Sequence, residues 1–312
     1  MMSNKDESRA GRPRGEGSAL SRSYSRPLRI EEAAVFSAEE MVRSAARKVG
    51  DELPGLKVRI FTDPLSFSRM RTHRPVVAIL DDTGANLADL GTIHSENPAL
   101  VAVLLTFDKL IQCSPLSMIS REFPALSGID LAFAVNRGEL HPDRILPASV
   151  RAAEDHLAME RRAEAHRRVF LVVDDEPRWF SQFLPALYGI IGRRALVKIA
   201  NTFEEAHAFL FGCVVAERAE DGRNTHGHGE EVACLIADLA FPRGGKVDPK
   251  AGEELIRVFR ERFPGIPIVI ASKGEGVSGL KDLGFLLPKG DPGSLLTLRR
   301  FLVDATGLNQ VT

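Results

Sequence analysis

The amino-acid sequence predicts an α/β protein with two doubly wound (βα)5 domains in tandem, each built on a five-stranded parallel sheet. Short apolar runs alternate with helical patterns along most of the 312 residues. Several of these runs are apolar throughout, which is typical of strands buried on both faces of a parallel sheet. The order of elements repeats, once in residues 30–146 and again in residues 169–306. Each repeat is long enough to bury a core of its own.

The first repeat contains five apolar runs that predict strands at residues 32–36, 56–61, 76–80, 99–105 and 130–135. The helices predicted between them cover residues 37–49, 66–72, 87–95 and 108–123. Ser37 is expected to cap the first of these helices, with Glu40 completing a capping box. Residues 147–168 are rich in Ala, Glu, Arg and Leu, which predicts a helical connector to the second repeat.

The second repeat contains apolar runs that predict strands at residues 169–173, 195–199, 232–238, 267–271 and 285–288. The helices predicted around them cover residues 179–191, 202–217, 252–263, 276–283 and 291–305. Thr202 is expected to cap the second of these helices, with Glu205 completing a capping box, and Asp291 is expected to cap the last. The segments 221–229 and 242–250 are expected to be loops.

The composition argues against several classes of protein. Lys and Arg number 41 against 42 Asp and Glu, and the resulting net charge of −1 argues against a nucleic-acid binder. Three cysteines without metal-ligand spacing, Cys113, Cys213 and Cys234, indicate a reduced, cytoplasmic protein. No apolar run is long enough to cross a membrane, and the first residues lack an apolar signal core.

Residues 1–29 are rich in Gly, Ser and Arg, which predicts a disordered basic tail, and residues 307–312 are expected to form a short second tail.

Polar residues follow four strands of the second repeat. Asp174 and Asp175 follow the first strand, Asp238 ends the third, Ser272 follows the fourth and Lys289 follows the fifth. The carboxyl ends of parallel strands share one edge of the sheet, where open α/β proteins bind their ligands. Three carboxylates at one edge repel one another, so they need a cation or raised pKa values. Mg²⁺ prefers such oxygen ligands, and a lysine and a hydroxyl could hold the remaining oxygens of a phosphoryl group.

This set of residues resembles the receiver domain of two-component response regulators, which has a flavodoxin-like fold, and the resemblance covers residues 168–306. The acid pair, phosphoacceptor, switch hydroxyl and lysine of that family correspond to Asp174, Asp175, Asp238, Ser272 and Lys289. Pro242 also stands at the family's spacing after the phosphoacceptor. Segments 175–185 and 237–243 look like the receiver-type domain fused to some phosphoenolpyruvate-synthase-like proteins, although no such catalytic region is present in this sequence.

The resemblance implies phosphotransfer with Mg²⁺ as the cofactor. A histidine kinase or a phosphotransfer protein would donate a phosphoryl group to Asp238. Asp175, Asp238 and the carbonyl of Ala240 would bind Mg²⁺ directly, and Asp174 would bind it through water. The metal would neutralise charge on the phosphoryl oxygens.

The resemblance also implies that phosphorylation changes the conformation of the domain. Lys289 would contact one phosphoryl oxygen, and Ser272 would move to hydrogen-bond the acyl phosphate. Two residues depart from the family's pattern. Leu286 stands where an aromatic residue is usual, with Phe285 one place away, and Gly290 stands where proline usually follows the lysine. We therefore expect an intact phosphoryl pocket with altered coupling to the neighbouring helix.

The first repeat has a similar order of polar strand ends. Residues 80–82, 105–106 and 136–138 are matched to residues 237–238, 271–272 and 288–290 of the second repeat. The first strand, however, ends in Phe36, Ser37 and Ala38 without an acid pair, so Mg²⁺ would lose most of its ligands. We interpret this repeat as a receiver-like domain that has lost phosphotransfer. The alternative is an unrelated flavodoxin-like domain whose strand-end acids only cap helices.

The expected role is that of a signalling protein rather than an enzyme. No helix-turn-helix or catalytic domain follows the second repeat, so its output would be binding to an unidentified protein, without nucleic acid or membrane. The first repeat would serve as a docking or dimerisation surface, and a homodimer is left open. One alternative is a phosphate sink or relay intermediate. Another is a Mg²⁺-dependent phosphatase, which Ala240 disfavours because a second acid is usual at that position.

Overall fold

The computed structural model describes residues 29–72, 74–115, 122–160, 168–212, 227–273, 279–280, 282–291 and 293–306. The two predicted tails lie outside these ranges, apart from residue 29. Most of the predicted loop 221–229 and half of the predicted helix 276–283 also lie outside them. Among the described residues, no helix combines the length and apolar character needed to cross a lipid bilayer.

The first half contains strands and helices in alternation. Its strands are β1 (Glu32–Phe36), β2 (Lys57–Phe61), β3 (Val76–Asp81), β4 (Leu100–Thr106) and β5 (Leu131–Ala134). Its helices are α1 (Glu40–Glu52), α2 (Pro64–Ser68), α3 (Asp82–Leu87), α4 (Leu90–Glu96) and α5 (Lys109–Gln112), with a 3₁₀ turn at Pro124–Leu126. A long helix, α6 (Pro142–Glu160), follows β5.

The second half repeats this alternation and adds a hairpin. Its strands are β6 (Arg168–Val173), β7 (Ala195–Ala200), β8 (Val232–Asp238), β9 (Phe241–Arg243), β10 (Lys246–Asp248), β11 (Ile268–Ser272) and β12 (Phe285–Pro288). Its helices are α7 (Pro177–Ile191), α8 (Phe203–Phe211), α9 (Ala251–Arg262) and α10 (Ser294–Thr306), with a 3₁₀ turn at Gly229–Glu231.

Each half is built on a five-stranded parallel sheet, which confirms the predicted fold class. The strand order is β2-β1-β3-β4-β5 in the first sheet and β7-β6-β8-β11-β12 in the second. Both sheets thus have the order 2-1-3-4-5 of flavodoxin-like folds. The registers also correspond, because Asp81 pairs with Leu105 in the first sheet as Asp238 pairs with Ala271 in the second. Equivalent strand-end positions can therefore be compared directly.

Helix α6 lies between the two sheets and is buried along most of its length. The sequence predicted a connector beginning at residue 147, but the helix begins at Pro142 and continues through Pro147. It contacts α1 of the first half and both α7 and β7 of the second half. One apolar core consequently includes side chains from both halves. The apolar side chains of α6 belong to this shared core, so the helix packs between the two halves.

Helix α7 makes the second direct connection between the halves. The rings of Phe133 on β5 and Phe180 on α7 meet edge to face, with centroids 5.8 Å apart. The backbone N–H of Ala134 donates a hydrogen bond to Ser181 Oγ at 3.0 Å. Since α7 directly follows the acid pair of the second half, the first half supports the helix next to the candidate site.

Two predicted features of the first half are wrong in detail. Ser37 does not cap α1, because its hydroxyl donates to the buried carboxylate of Asp81 and Glu39 takes the N-cap position. The helix predicted at residues 87–95 corresponds to α4, which begins at Leu90, and a separate helix, α3, precedes it. The side chains of Asp81 and Asp89 each accept a hydrogen bond from an N–H three residues later, and each therefore starts a helix of its own.

The second half also departs from the prediction in places. The loop predicted at residues 242–250 contains the antiparallel hairpin β9–β10. Thr202 caps α8 as predicted, but Glu205 accepts from the N–H of Asn201 instead of closing the box on Thr202. Helix α8 ends at Phe211 rather than residue 217, since Gly212 has a φ of 83° that a helix cannot continue through. Helix α10 begins at Ser294, after Asp291 accepts from the N–H of Gly293.

The carboxyl group of Asp155 on α6 makes the stability of the fold depend on pH. Its carboxylate accepts hydrogen bonds from the hydroxyl of Tyr188 and the N–H of Val197 on the edge strand β7. Burial raises its pKa from 3.8 to about 7, against the lowering effect of Arg151 and these bonds. The folded protein therefore keeps a proton on Asp155 that the unfolded chain releases near pH 4. Stability from this group is present below about pH 4 and is lost as pH rises through about 7.

We expect Asp155→Asn to remove this pH dependence while keeping an acceptor oxygen for both hydrogen bonds. The free energy of unfolding of the variant, relative to the wild type, should increase by a few kcal/mol between pH 4 and pH 8. Urea unfolding at a series of pH values measures this difference. The exposed Asp51→Asn variant is the control and should follow the wild type. Parallel curves for Asp155→Asn and the wild type would contradict the prediction.

Candidate functional site

The candidate site lies at the carboxyl edge of the second sheet. Strand β6 ends at Val173, which pairs with Ala237 on β8, so the residues that follow these strands are neighbours. Asp174 and Asp175 occupy the short link between β6 and α7, and Pro177 at the start of α7 limits the length of that link. Asp238 is the last residue of β8. The three acids predicted from the sequence are therefore brought together by adjacent strands.

The three acids form a cluster with the geometry of a cation site. One carboxylate oxygen from each of Asp174, Asp175 and Asp238 lies within 4.8 Å of the other two. Asp174 and Asp175 are buried, whereas Asp238 is partly exposed. Among the described residues, this is the one group of three or more potential metal ligands of these types. The donor set is made of hard oxygens, which fits Mg²⁺ better than the softer transition metals.

Lys289 bridges two of the acids. Its Nζ lies 2.7 Å from Asp174 Oδ2 and 2.7 Å from Asp238 Oδ2, and its side chain is only 4% exposed. The backbone N–H of Lys289 donates to the carbonyl of Ser272 at 2.7 Å, which fixes the start of the side chain beside β11. A single ammonium group thus faces three carboxylates in a nearly closed space.

The pKa values reflect this imbalance of charge. Burial raises the pKa of Asp174 to about 7, although Lys289 acts in the opposite direction. Burial and the charge of Asp174 raise the pKa of Asp175 to about 7. Burial lowers the pKa of Lys289, but the charges of Asp174 and Asp238 outweigh it, so that the net shift is upward. At neutral pH the site can therefore accept further positive charge, as either protons or a cation.

The remaining predicted residues lie around this cluster. Ser272 ends β11 and is buried, and its predecessor Ala271 pairs with Asp238. Ala240 lies two residues after Asp238, in the turn before β9, and is partly buried. Ser272 and Lys289 are thus held by neighbouring strands of one sheet. The position of Ala240 leaves its backbone as the group it can offer to a ligand.

Sequence reasoning missed three residues around Lys289. Trp179, on the first turn of α7, is buried, and its ring centroid lies 5.4 Å from the Nζ atoms of both Lys289 and Lys273. Glu176 and Lys273 form an ion pair at 3.0 Å that joins the β6–α7 link to the end of β11. The sequence did contain a signal for Trp179. It lies one helical turn after the acid pair, and that turn must face the edge of the sheet.

Gly252 is a further residue whose importance the sequence did not reveal. It is the second residue of α9, and its N–H donates to the carbonyl of Leu239 at 3.0 Å. A Cβ placed on Gly252 would lie 2.0 Å from the carbonyl oxygen of Asp238. Only glycine therefore lets α9 approach the backbone at the end of β8.

The equivalent edge of the first sheet has different chemistry. Register places Ser37 in the position of Asp174, and its hydroxyl donates to Asp81, which takes the position of Asp238. Asp81 also accepts from the N–H of Gly84 at 2.6 Å. The neighbouring Asp82 accepts from the N–H of Phe107 at 2.8 Å. These two acids accept hydrogen bonds from backbone N–H groups.

The matching of residues 136–138 with 288–290 is wrong by two positions. The N–H of Val135 donates to the carbonyl of Thr106, as the N–H of Lys289 donates to the carbonyl of Ser272. Val135, not Arg137, therefore occupies the lysine position. The error arose because the two apolar runs were aligned by their following polar residues, whereas the register is set by hydrogen bonds to the neighbouring strand. A buried valine there cannot compensate a carboxylate or hold an anion.

Comparisons with known proteins give only distant similarities. No family model matches the chain, and no curated protein matches it. Among solved structures, it is similar to a protein described as a two-component system response regulator/GGDEF domain protein, with 17% identity, a TM-score of 0.38, and coverage of 89% of this chain and 99% of that one. It is also similar to the E. coli RcsC C-terminus containing a linker region and phosphoreceiver domain, with 12% identity, a TM-score of 0.30, and coverage of 92% and 97%.

An enzyme domain is among the similar structures as well. The C-terminal domain of glucosamine-fructose-6-phosphate aminotransferase from Francisella tularensis has 8% identity and a TM-score of 0.27, with coverage of 90% of this chain and 84% of that one. All three TM-scores are below 0.5, so these similarities carry no argument about function. The functional proposal depends on the geometry of the site.

We expect Lys289→Met to destabilise the protein in metal-free buffer, because it leaves the buried carboxylates without their ammonium partner. The loss should be about 3 kcal/mol at pH 8. It should be smaller at pH 6, where the acids with pKa values near 7 take up protons instead. Urea unfolding with a chelator present measures both values. Lys273→Met is the matched control, since Lys273 is 60% exposed, and equal losses in the two variants would contradict the prediction.

We expect Gly252→Ala to lower the free energy of unfolding by about 1–3 kcal/mol, because the added methyl group forces α9 away from Asp238. Chemical denaturation measures this loss. Gly265→Ala, just beyond the other end of α9, is the control, since a Cβ there meets no atom within 4 Å. A Gly252→Ala variant as stable as the wild type would show that the approach of α9 is not constrained.

Proposed function

We propose that residues 168–306 act as a phosphoryl-accepting receiver domain and that the protein is a response regulator. The observation that carries the proposal is the placement of the Lys289 ammonium 2.7 Å from both Asp174 and Asp238, with Asp175 in the same carboxylate cluster. Acids, a lysine and a hydroxyl at one sheet edge are the groups that phosphoryl transfer requires for positioning and for charge stabilisation.

Asp238 is the nucleophile in this proposal. Its side chain is 12% exposed, whereas that of Asp174 is 2% exposed, so an incoming phosphorus atom reaches Asp238 more easily. A carboxylate oxygen of Asp238 attacks phosphorus and forms an O–P bond. The P–N bond to the donor's histidine breaks, and its electron pair returns to the imidazole nitrogen. Lys289, already beside Asp238, exchanges a carboxylate oxygen for a phosphoryl oxygen.

The acid cluster would hold Mg²⁺. Asp174, Asp175 and Asp238 supply the carboxylates, and the backbone carbonyl of Ala240 is a further candidate ligand. When bound, Mg²⁺ neutralises charge on the phosphoryl oxygens and orients them. Ser272 is the candidate hydroxyl for hydrogen bonding to the acyl phosphate, and Lys289 keeps the remaining anionic oxygens in place.

The proposed partners follow from this chemistry. A histidine kinase or a phosphotransfer protein supplies the phosphoryl group, and an output protein recognises the phosphorylated form. A phosphate sink or relay intermediate uses the same site, but it would lose the phosphoryl group quickly without a change in affinity for any output protein. A phosphatase is disfavoured because Ala240 offers no acidic side chain for protonating a leaving group. The first half, with Val135 and Ser37 at the key positions, serves as a receiver-like scaffold.

We expect the full chain to acquire one hydroxylamine-labile phosphoryl group when incubated with phosphoramidate and Mg²⁺. Intact-mass measurement detects the added group, and peptide mapping locates it. Asp238→Ala and removal of Mg²⁺ with a chelator should each abolish the modification. Asp82→Asn, at the matched sheet edge of the first half, is the control and should leave it unchanged. An unmodified wild type, or a fully modified Asp238→Ala, would reject Asp238 as the phosphoacceptor.

A further inference from the structure

A groove runs between the carboxyl edges of the two sheets. Two adjoining cavities of about 460 Å³ and 240 Å³ share Glu139, Leu140, Arg178 and Gln182 as lining residues. We call this surface the interdomain groove, and its walls include Lys109, Val135, Arg137, Arg178, Gln182 and Gly290. Both halves of the molecule contribute to it, because α7 of the second half packs beside β5 of the first.

The groove leads to the candidate phosphoryl site. One end is lined by Val135, which occupies the lysine position of the first sheet. The other end is lined by Gly290, directly after Lys289. In between, the guanidinium of Arg178 lies 4.7 Å from the ring centroid of Trp179, the same ring that faces Lys289. A partner lying in the groove would therefore contact the segment that directly follows Lys289, whose ammonium group contacts Asp238.

The groove carries an excess of positive charge. Its charged lining residues are the cations Lys109, Arg137, Arg144 and Arg178 and the acids Glu139 and Asp291. Within the part of the chain that the structure describes, neither Lys109 nor Arg137 forms an ion pair, and both are exposed. The unpaired cations of the groove are available to an anionic partner.

The two walls of the groove are fixed relative to each other. The contact of Phe133 with Phe180 and the hydrogen bond from Ala134 to Ser181 lie beneath it. Because Lys109 and Arg137 belong to the first half and Arg178 to the second, a partner would need both halves in this arrangement. The first half thus contributes half of a binding surface although it lacks the residues for phosphotransfer.

We propose that the interdomain groove is the docking surface for the phosphoryl donor, and that the donor presents carboxylates around its phosphohistidine. This inference rests on the proposed function of Asp238. A phosphorylated histidine is itself anionic, and a cationic groove raises the rate at which such a surface meets Asp238 in the correct orientation. Lys109 and Arg137 select for acidic donors, and they do so from outside the phosphoryl pocket.

The test uses two helical peptides that each carry one phosphohistidine, one with glutamates and the other with lysines at the remaining exposed positions. Transfer to the full-length protein is followed by intact mass at low ionic strength. We expect the acidic peptide to react about tenfold faster with the wild type, as electrostatic steering implies. In the double variant Lys109→Gln, Arg137→Gln this preference should disappear. Phosphorylation by the small donor phosphoramidate should be the same in both proteins.

Two further double variants distinguish an effect of charge from an effect of misfolding. Lys57→Gln with Arg262→Gln removes two exposed cations remote from the groove and should keep the preference of the wild type. Lys109→Glu with Arg137→Glu should invert the preference towards the basic peptide, an outcome that misfolding cannot produce. Equal rates for both peptides with the wild type, or a preference that survives the groove substitutions, would overturn the docking proposal. A wild type that reacts with neither phosphoramidate nor peptide would instead overturn the proposed function itself.

Discussion

The site depends on the ion pairs that Lys289 forms with Asp174 and Asp238 at the carboxyl edge of the second sheet. Three carboxylates lie close together, and the ammonium group of Lys289 forms ion pairs with two of them. Burial raises the pKa values of Asp174 and Asp175, which shows how costly the uncompensated charge is. In the proposed function, such a site exchanges protons or a lysine contact for a metal ion and a phosphoryl group.

The two halves of the chain use one architecture in different ways. Strand order and register agree, so each strand-end residue has a counterpart in the other half. In the first half, Ser37 and Val135 replace Asp174 and Lys289, and Asp81 is used to hold a hydroxyl and backbone N–H groups. The fold therefore persists without the charge cluster, because the sheet is held by apolar burial and the acids can serve as caps. The chemistry is an addition to the fold rather than a requirement of it.

The packing of the halves against each other gives the first half a role beside the site. Helices α6 and α7 contribute to the core that the two halves share, and the contact of Phe133 with Phe180 lies close to the start of α7. The groove above this contact combines cations from both halves. In the proposed function, the first half can take part in recognition without phosphotransfer residues, since recognition depends on the exposed rim and phosphotransfer on the buried strand ends.

The sequence by itself determined the two parallel sheets and the meeting of Asp174, Asp175, Asp238, Ser272 and Lys289. Apolar runs of strand length mark buried strands, and the carboxyl ends of parallel strands share an edge whatever their separation along the chain. Only the tertiary structure decided that Val135 takes the lysine position, that Trp179 faces Lys289, and that α6 lies in a core shared by both halves. These features depend on hydrogen-bond register between strands and on side chains packing across long separations, which local patterns of polarity do not encode.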